Sequence, residues 1–217
     1  MNDSADEERF LPTRQSLLSR LRNEGDQAGW QEFFETYWRL IYGVGRKSGL
    51  SDAEAQDLVQ ETMMVVVRHM PEFRYDPAKG SFKGWLQSVI RSRLGEHWRR
   101  VNSVARTTAP MPEAGAGAGT DFFHQVPDES AEGLDAVWQA EWEQNLLDNA
   151  LRRVRSEISP KQYLIFSMAV LKEVPLRVIA EKLDVNIAQI YLAKHRVAKA
   201  VKAELARLRK QIEQGGI

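Results

Sequence analysis

Between positions 51 and 70, apolar or small residues recur at Leu58, Thr62, Val65, Val66 and Met70, a helical period. Ser51 stands three residues before Glu54, the spacing at which a serine and a glutamate cap the same helix start reciprocally. Pro71 stops the helix, because its ring clashes with the preceding turn and it carries no amide hydrogen. The spacing therefore predicts a helix from Ser51 to Met70. After a turn-rich stretch from Phe73 to Gly80, Trp85, Leu86, Val89, Ile90 and Leu94 form a second stripe, predicting a helix from near Ser81 to Arg100.

Upstream, Thr13 can cap a short helix carrying Leu17, Leu18 and Leu21, which Gly25 ends. Asp26 opens the next helix. Its stripe of Trp30, Phe33, Phe34, Tyr37, Trp38 and Ile41 reads as bundle core, since large aromatics serve mainly burial.

Downstream of residue 101 the periodicity vanishes until Asp135. The stretch holds PMPEAGAGAGT, too poor in apolar surface to offset chain entropy. It is read as a flexible linker over residues 102–134. Helical spacing resumes at Trp138, Trp142, Leu146 and Ala150. Ser159 and Pro160 open a further helix as cap and first helical residue. Its Tyr163, Ile165, Phe166, Met168 and Val170 are apolar nearly all round, so it is expected to be largely buried.

A short helix, Leu176 to Leu183, turns through Asp184-Val185-Asn186 into a long one from Ile187 to about Gln211. In the short helix Val178, Ile179 and Leu183 point inward. In the long one Ile190, Ala193, Val197, Val201, Leu205 and Leu208 form the core stripe. Short helix, three-residue turn and long helix make a helix-turn-helix unit. Many such turns carry glycine where this chain has Asp184, which enters a left-handed conformation less readily. The fold class expected is all-α: two small helical domains, residues 1–101 and 135–217, joined by the linker.

Composition narrows the chemistry. The 217 residues carry 30 Lys or Arg and 30 Asp or Glu, so only the distribution of charge is informative. From Arg74 to Arg100, seven basic residues face only Asp76 and Glu96. From Thr107 to Leu151 there is no Lys or Arg at all, while Glu113, Asp121, Asp128, Glu129, Glu132, Asp135, Glu141, Glu143 and Asp148 accumulate. From Arg152 to Lys210 basic residues again outnumber acidic ones widely, as a phosphate backbone would select.

The absence of cysteine excludes disulfides and thiolate chemistry and fits a reducing cytosol. His69, His97, His124 and His195 are scattered, and GAGAG lacks the lysine and the strand of a phosphate-binding loop. No enzyme activity, metal or cofactor is expected. The acidic start, MNDSADEERF, is unlike a signal peptide, and no apolar run reaches the roughly 20 residues of a membrane helix. A cytoplasmic protein without a membrane span is expected.

DLVQE at Asp57 to Glu61, followed by Ser81-Phe82, Trp85-Leu86 and a basic helix, resembles region two of bacterial sigma factors of the extracytoplasmic-function (ECF) type. The segment from Ser159 to Leu208 resembles region four of the same family. The two occur in the family's order, with a linker between them. Ser88 and Ser92 stand where the family often has Arg and Asn, and Tyr191, Leu192 and Ala193 replace polar or basic residues, which implies a base code of its own.

The resemblance implies that Asp57, Gln60 and Glu61 bind core RNA polymerase. It implies that the minus-ten promoter element is read as a melted strand by the loop and helix carrying Arg74, Lys79, Phe82, Lys83, Trp85, Arg91, Ser92, Arg93, Trp98, Arg99 and Arg100. Phe82, Trp85 and Trp98 supply rings on which extruded bases can stack. Gln189, Tyr191, Leu192, His195, Arg196 and Lys199 would read the minus-thirty-five element as duplex. Promoter DNA and core polymerase are the implied partners, with an anti-sigma factor as a further one. The acidic linker has three open readings: a solvated tether, a segment threading through polymerase, or a mask on the basic C-terminal domain. Two other functional readings stay open: a stand-alone helix-turn-helix regulator with an N-terminal interaction domain, and an adaptor or RNA-binding protein.

Overall fold

The structure, a computed structural model, describes residues 15–72, 81–106 and 131–214. Thr13, the loop with Arg74 and Lys79, and the segment 107–130 lie outside these residues. All regular structure among the described residues is helical: α1 (Gln15–Arg20), α2 (Gln27–Lys47), α3 (Asp52–His69), α4 (Phe82–Arg106), α5 (Ala131–Glu157), α6 (Pro160–Phe166), α7 (Leu176–Leu183) and α8 (Ile187–Gln214). None of these helices is long and apolar enough to cross a membrane.

The described chain divides into two compact units, residues 15–143 and 144–214, with the division inside α5. The expected start of the second domain, residue 135, lies nine residues upstream of the observed one, residue 144, because Trp138 and Trp142 are buried with the N-terminal helices rather than with the helix-turn-helix. Two further differences flank the linker: α4 runs on to Arg106, and α5 begins at Ala131.

In the first unit, Asp26 caps α2 by accepting a hydrogen bond from the Gly29 amide at 2.8 Å. Arg20 binds Asp26 at 2.7 Å and Glu32 at 3.0 Å, tying α1 to the start of α2. The Arg20 hydrogen bond, with the Gly29 amide behind it, holds the Asp26 carboxyl at about 2. From α2, Phe33, Tyr37, Leu40, Ile41 and Val44 enter the core. Phe34 does not; it is 46% exposed and stacks on Trp38, because five aromatics in nine residues are more than one helix face can bury.

Gly49, at φ 91°, supplies the left-handed residue that ends the helical path before Leu50. Ser51 and Glu54 form the reciprocal cap of α3. Ala55, Leu58, Val59, Thr62, Val66 and Met70 face inward, while Val65 is only half-buried and Met64 and Val67 are exposed. Phe82, Leu86, Val89, Ile90 and Leu94 of α4 complete the core.

In the second unit, Ile165, Ile179, Ile190 and Ala193 knit α6, α7 and α8 together, with Met168, Leu176, Leu183 and Val185 packed around them. The core stripe of α8 runs through Ile190, Ala193, Val197, Val201, Glu204 and Leu208. Glu204 takes the place expected for Leu205, which is half-buried. Burial of Glu204 is compensated by Arg153 of α5 at 3.5 Å and Arg207 at 2.9 Å.

The helix α6 is also shorter and less buried than expected. α6 gives way to a π turn at Ser167–Leu171, whose wider winding rotates Val170 and Leu171 outward. Leu164 is exposed as well.

Candidate nucleic-acid and polymerase interface

The inward face of α3 decides what its other face presents. With Leu58, Val59 and Thr62 buried, Asp57 and Gln60 are exposed and Glu61 is half-buried at the edge. Glu61 accepts from Arg100 Nη2 of α4 at 3.4 Å. Nearby, Glu54, already bound to the Ser51 amide, lies 3.5 Å from His97. The acidic face of α3 thus borders the basic C-terminal half of α4.

On α4 the expected site residues fall into three groups. Phe82 is a correction: it is 1% exposed, with ring centroids 6.0 Å from Phe33 and 5.7 Å from Tyr37, and it offers no face to a base. The first ring of a helix packed on an aromatic stripe is more useful as core than as a stacking platform. Trp85, 5.5 Å from Phe82, and Trp98 are half-buried and keep part of their surface. Arg93 binds Glu96 at 2.7 Å, Arg99 donates to the Gly95 carbonyl, and Arg99 and Arg100 are exposed. Ser92 is half-buried.

The third group, Lys83 and Arg91, is covered by the first half of α5. Lys83 Nζ donates to Gln139 Oε1 at 2.7 Å and sits 5.2 Å above the Trp142 ring. Burial pushes its pKa down. Arg91 donates to Asp135. Gln87, midway between them, also donates to Asp135 Oδ1, at 2.7 Å. Residues 83, 87 and 91 are one helical turn apart and form a single row. Gln87 and its α5 partners were not among the expected site residues. The signal available was the recurrence of polar residues at that spacing opposite an acidic, tryptophan-bearing helix start.

In the second unit Asp184 adopts the left-handed conformation, φ 47°, that ends α7. An aspartate therefore does here what glycine often does. Asn186 accepts from the Gln189 amide at 2.8 Å, and Gln189 Oε1 accepts from the Asn186 amide at 2.9 Å. Gln189, expected to read bases, is thus half committed to the cap and retains its side-chain amino group as donor. Tyr191, Leu192, His195, Arg196 and Lys199 are exposed along one side of α8, with Lys194 over the Tyr191 ring at 5.6 Å. The second helix of this helix-turn-helix therefore presents a mixed apolar and basic face.

The helical module with this paired acidic and basic surface has known counterparts. The sigma-70 region 2 family matches residues 33–104. The chain is 33% identical over 103 residues to the ECF RNA polymerase sigma factor SigF of Caulobacter vibrioides, covering 46% of this chain and 54% of that one. It is 25% identical over 139 residues to the ECF RNA polymerase sigma factor RpoE of Cereibacter sphaeroides, covering 64% and 67%. It is 27% identical over 89 residues to the ECF RNA polymerase sigma factor SigM of Mycobacterium tuberculosis, covering 41% and 43%. The matches thus span from under half to about two thirds of these relatives' own lengths. Residues 33–104 match region 2 of the sigma-70 family, and the relatives that the chain resembles are ECF RNA polymerase sigma factors.

Proposed function

We propose that this protein is a sigma factor that binds core RNA polymerase and directs transcription initiation at promoters. The observation that carries the proposal is the exposed acid and amide face of α3, Asp57 and Gln60 with Glu61 at its edge, directly beside the arginines of α4. One surface suits a basic helical element of the polymerase. The adjoining one suits the backbone of a melted minus-ten strand, with Trp85 and Trp98 as stacking edges. In the second unit, α8 would enter the major groove at the minus-thirty-five element, presenting Tyr191, Leu192, His195, Arg196, Lys199 and the free end of Gln189.

The experiment is transcription in vitro from a pool of genomic fragments by core polymerase, with and without the protein. Transcripts starting at discrete sites only in its presence are expected. Their absence, with tight duplex binding by the protein alone, would leave the stand-alone regulator instead. Glu61→Lys should abolish co-purification with core polymerase at high salt, and retention would refute the role of α3. Lys199→Ala should reduce the salt dependence of duplex binding by about one unit of slope.

A further inference from the structure

The first half of α5 has the composition of a competitor for nucleic acid. Between Leu134 and Glu143 it is acidic and amide-bearing, without a basic residue. It belongs to the same compact unit as α2 and α4. Leu134, Trp138 and Trp142 are buried, so the segment is seated rather than resting on the surface. Glu141 is 8% exposed and ion-paired with Lys47 at 2.6 Å. Its polar groups engage Lys83, Gln87 and Arg91, one row of α4. One carboxylate oxygen, Asp135 Oδ1, receives both the Gln87 amide and the Arg91 guanidinium.

We infer that residues 131–143 act as an intramolecular mask: Asp135 and Gln139 occupy the donors of α4 that would otherwise hold single-stranded DNA, so the segment must leave before the strand can bind. The inference rests on the proposed reading of α4 as the minus-ten surface. It adds that the free protein is held in a closed state, and that apparent affinity falls by the fraction of molecules closed. Asp135 and Gln139 are exposed and meet α4 through polar groups, whereas Trp138 and Trp142 are buried and anchor the helix. Removing the two polar side chains therefore weakens the mask without opening the core.

The test uses the full chain and a fluorescent random-sequence single-stranded DNA. Asp135→Ala/Gln139→Ala should bind it about three- to tenfold more tightly than the parent, the effect of losing two exposed contacts that hold the closed state. Equal affinity would overturn the mask. A second variant approaches from the opposite direction. The chain has no cysteine, so Lys47→Cys/Glu141→Cys can be joined by a reducible thiol cross-linker at a contact away from the α4 row. The joined protein should bind the strand several-fold more weakly than the same protein after cleavage. Equal binding in both states would again overturn the mask. Promoter-dependent transcription with core polymerase is scored in parallel. Its presence alongside unchanged strand binding would sink the mask alone, and its absence would sink the sigma-factor reading itself.

Discussion

Arg100 and Glu61 face each other across α4 and α3 at 3.4 Å. One belongs to the surface proposed for DNA and the other to the surface proposed for polymerase. Their pairing joins the two faces. Both side chains are more than a third exposed, so solvent screens the pair. Glu61→Gln should therefore change the unfolding free energy by less than about 1 kcal/mol. Chemical denaturation checks this, and a larger loss would make Glu61 a structural residue rather than a binding one.

Burial separates Phe82 from the other aromatics of the α4 surface. Phe82→Ala should destabilise the protein by about 3–5 kcal/mol, the cost of a large cavity in a core. Trp98→Ala, removing a half-buried ring, should cost well under half of that while weakening single-strand binding. Denaturant midpoints and strand-binding titrations, read together, distinguish a core ring from a stacking ring.

Asp26 provides a pH test. Its folded pKa, about 2, lies below the ordinary 3.8. A lowered carboxyl pKa stabilises the fold above the unfolded value, and that contribution is lost as pH falls from about 4 through about 2. Asp26→Asn retains a capping side chain but loses the charge that Arg20 binds. The difference in Tm between parent and variant should be constant from neutral pH to about 5 and shrink towards pH 2. A difference independent of pH would show that the Arg20 pair contributes nothing.

Gly43 on α2 and Glu141 on α5 make a close approach. A Cβ built on Gly43 would fall 1.9 Å from Glu141 Oε2. Gly43→Ala meets only the flexible end of a side chain. It should be nearly neutral, with the gain in helix propensity, up to about 1 kcal/mol, offsetting a shifted carboxylate. Gly43→Leu leaves no room for Glu141. It should raise the hydrogen exchange of amides 134–143 while those of α3 stay protected. Unchanged exchange would mean that this half of α5 is not seated on α2.

Asn186 controls the start of α8. Asn186→Ala should cost about 1 kcal/mol. It should also speed amide exchange in the first turn of α8, where Gln189 loses its reciprocal partner. Asn186→Asp should restore protection, since aspartate caps equally well.

Much of this organisation is legible along the chain. The cap at Ser51 and Glu54, the stop at Pro71, the cap at Asn186 and the core stripes of α3 and α8 are local events. They depend on residues within one or two turns of each other, and periodicity reports such events directly. The exposed acid face of α3 follows, because the side opposite a core stripe must face outward. Packing between distant segments decided the rest. Nothing in the spacing of Trp138 and Trp142 says which bundle they join. Only the meeting of Trp142 with Tyr37 and Lys83 assigned them to the first. Phe82 and Trp85 carry similar rings three residues apart, and the position of Phe33 and Tyr37 determined that the first is core. Glu204 could displace Leu205 from the stripe of α8 because Arg153, on another helix, compensates its burial. Local order is written in short-range spacing, whereas the choice of partner for each face emerges when side chains far apart in sequence compete for the same interior.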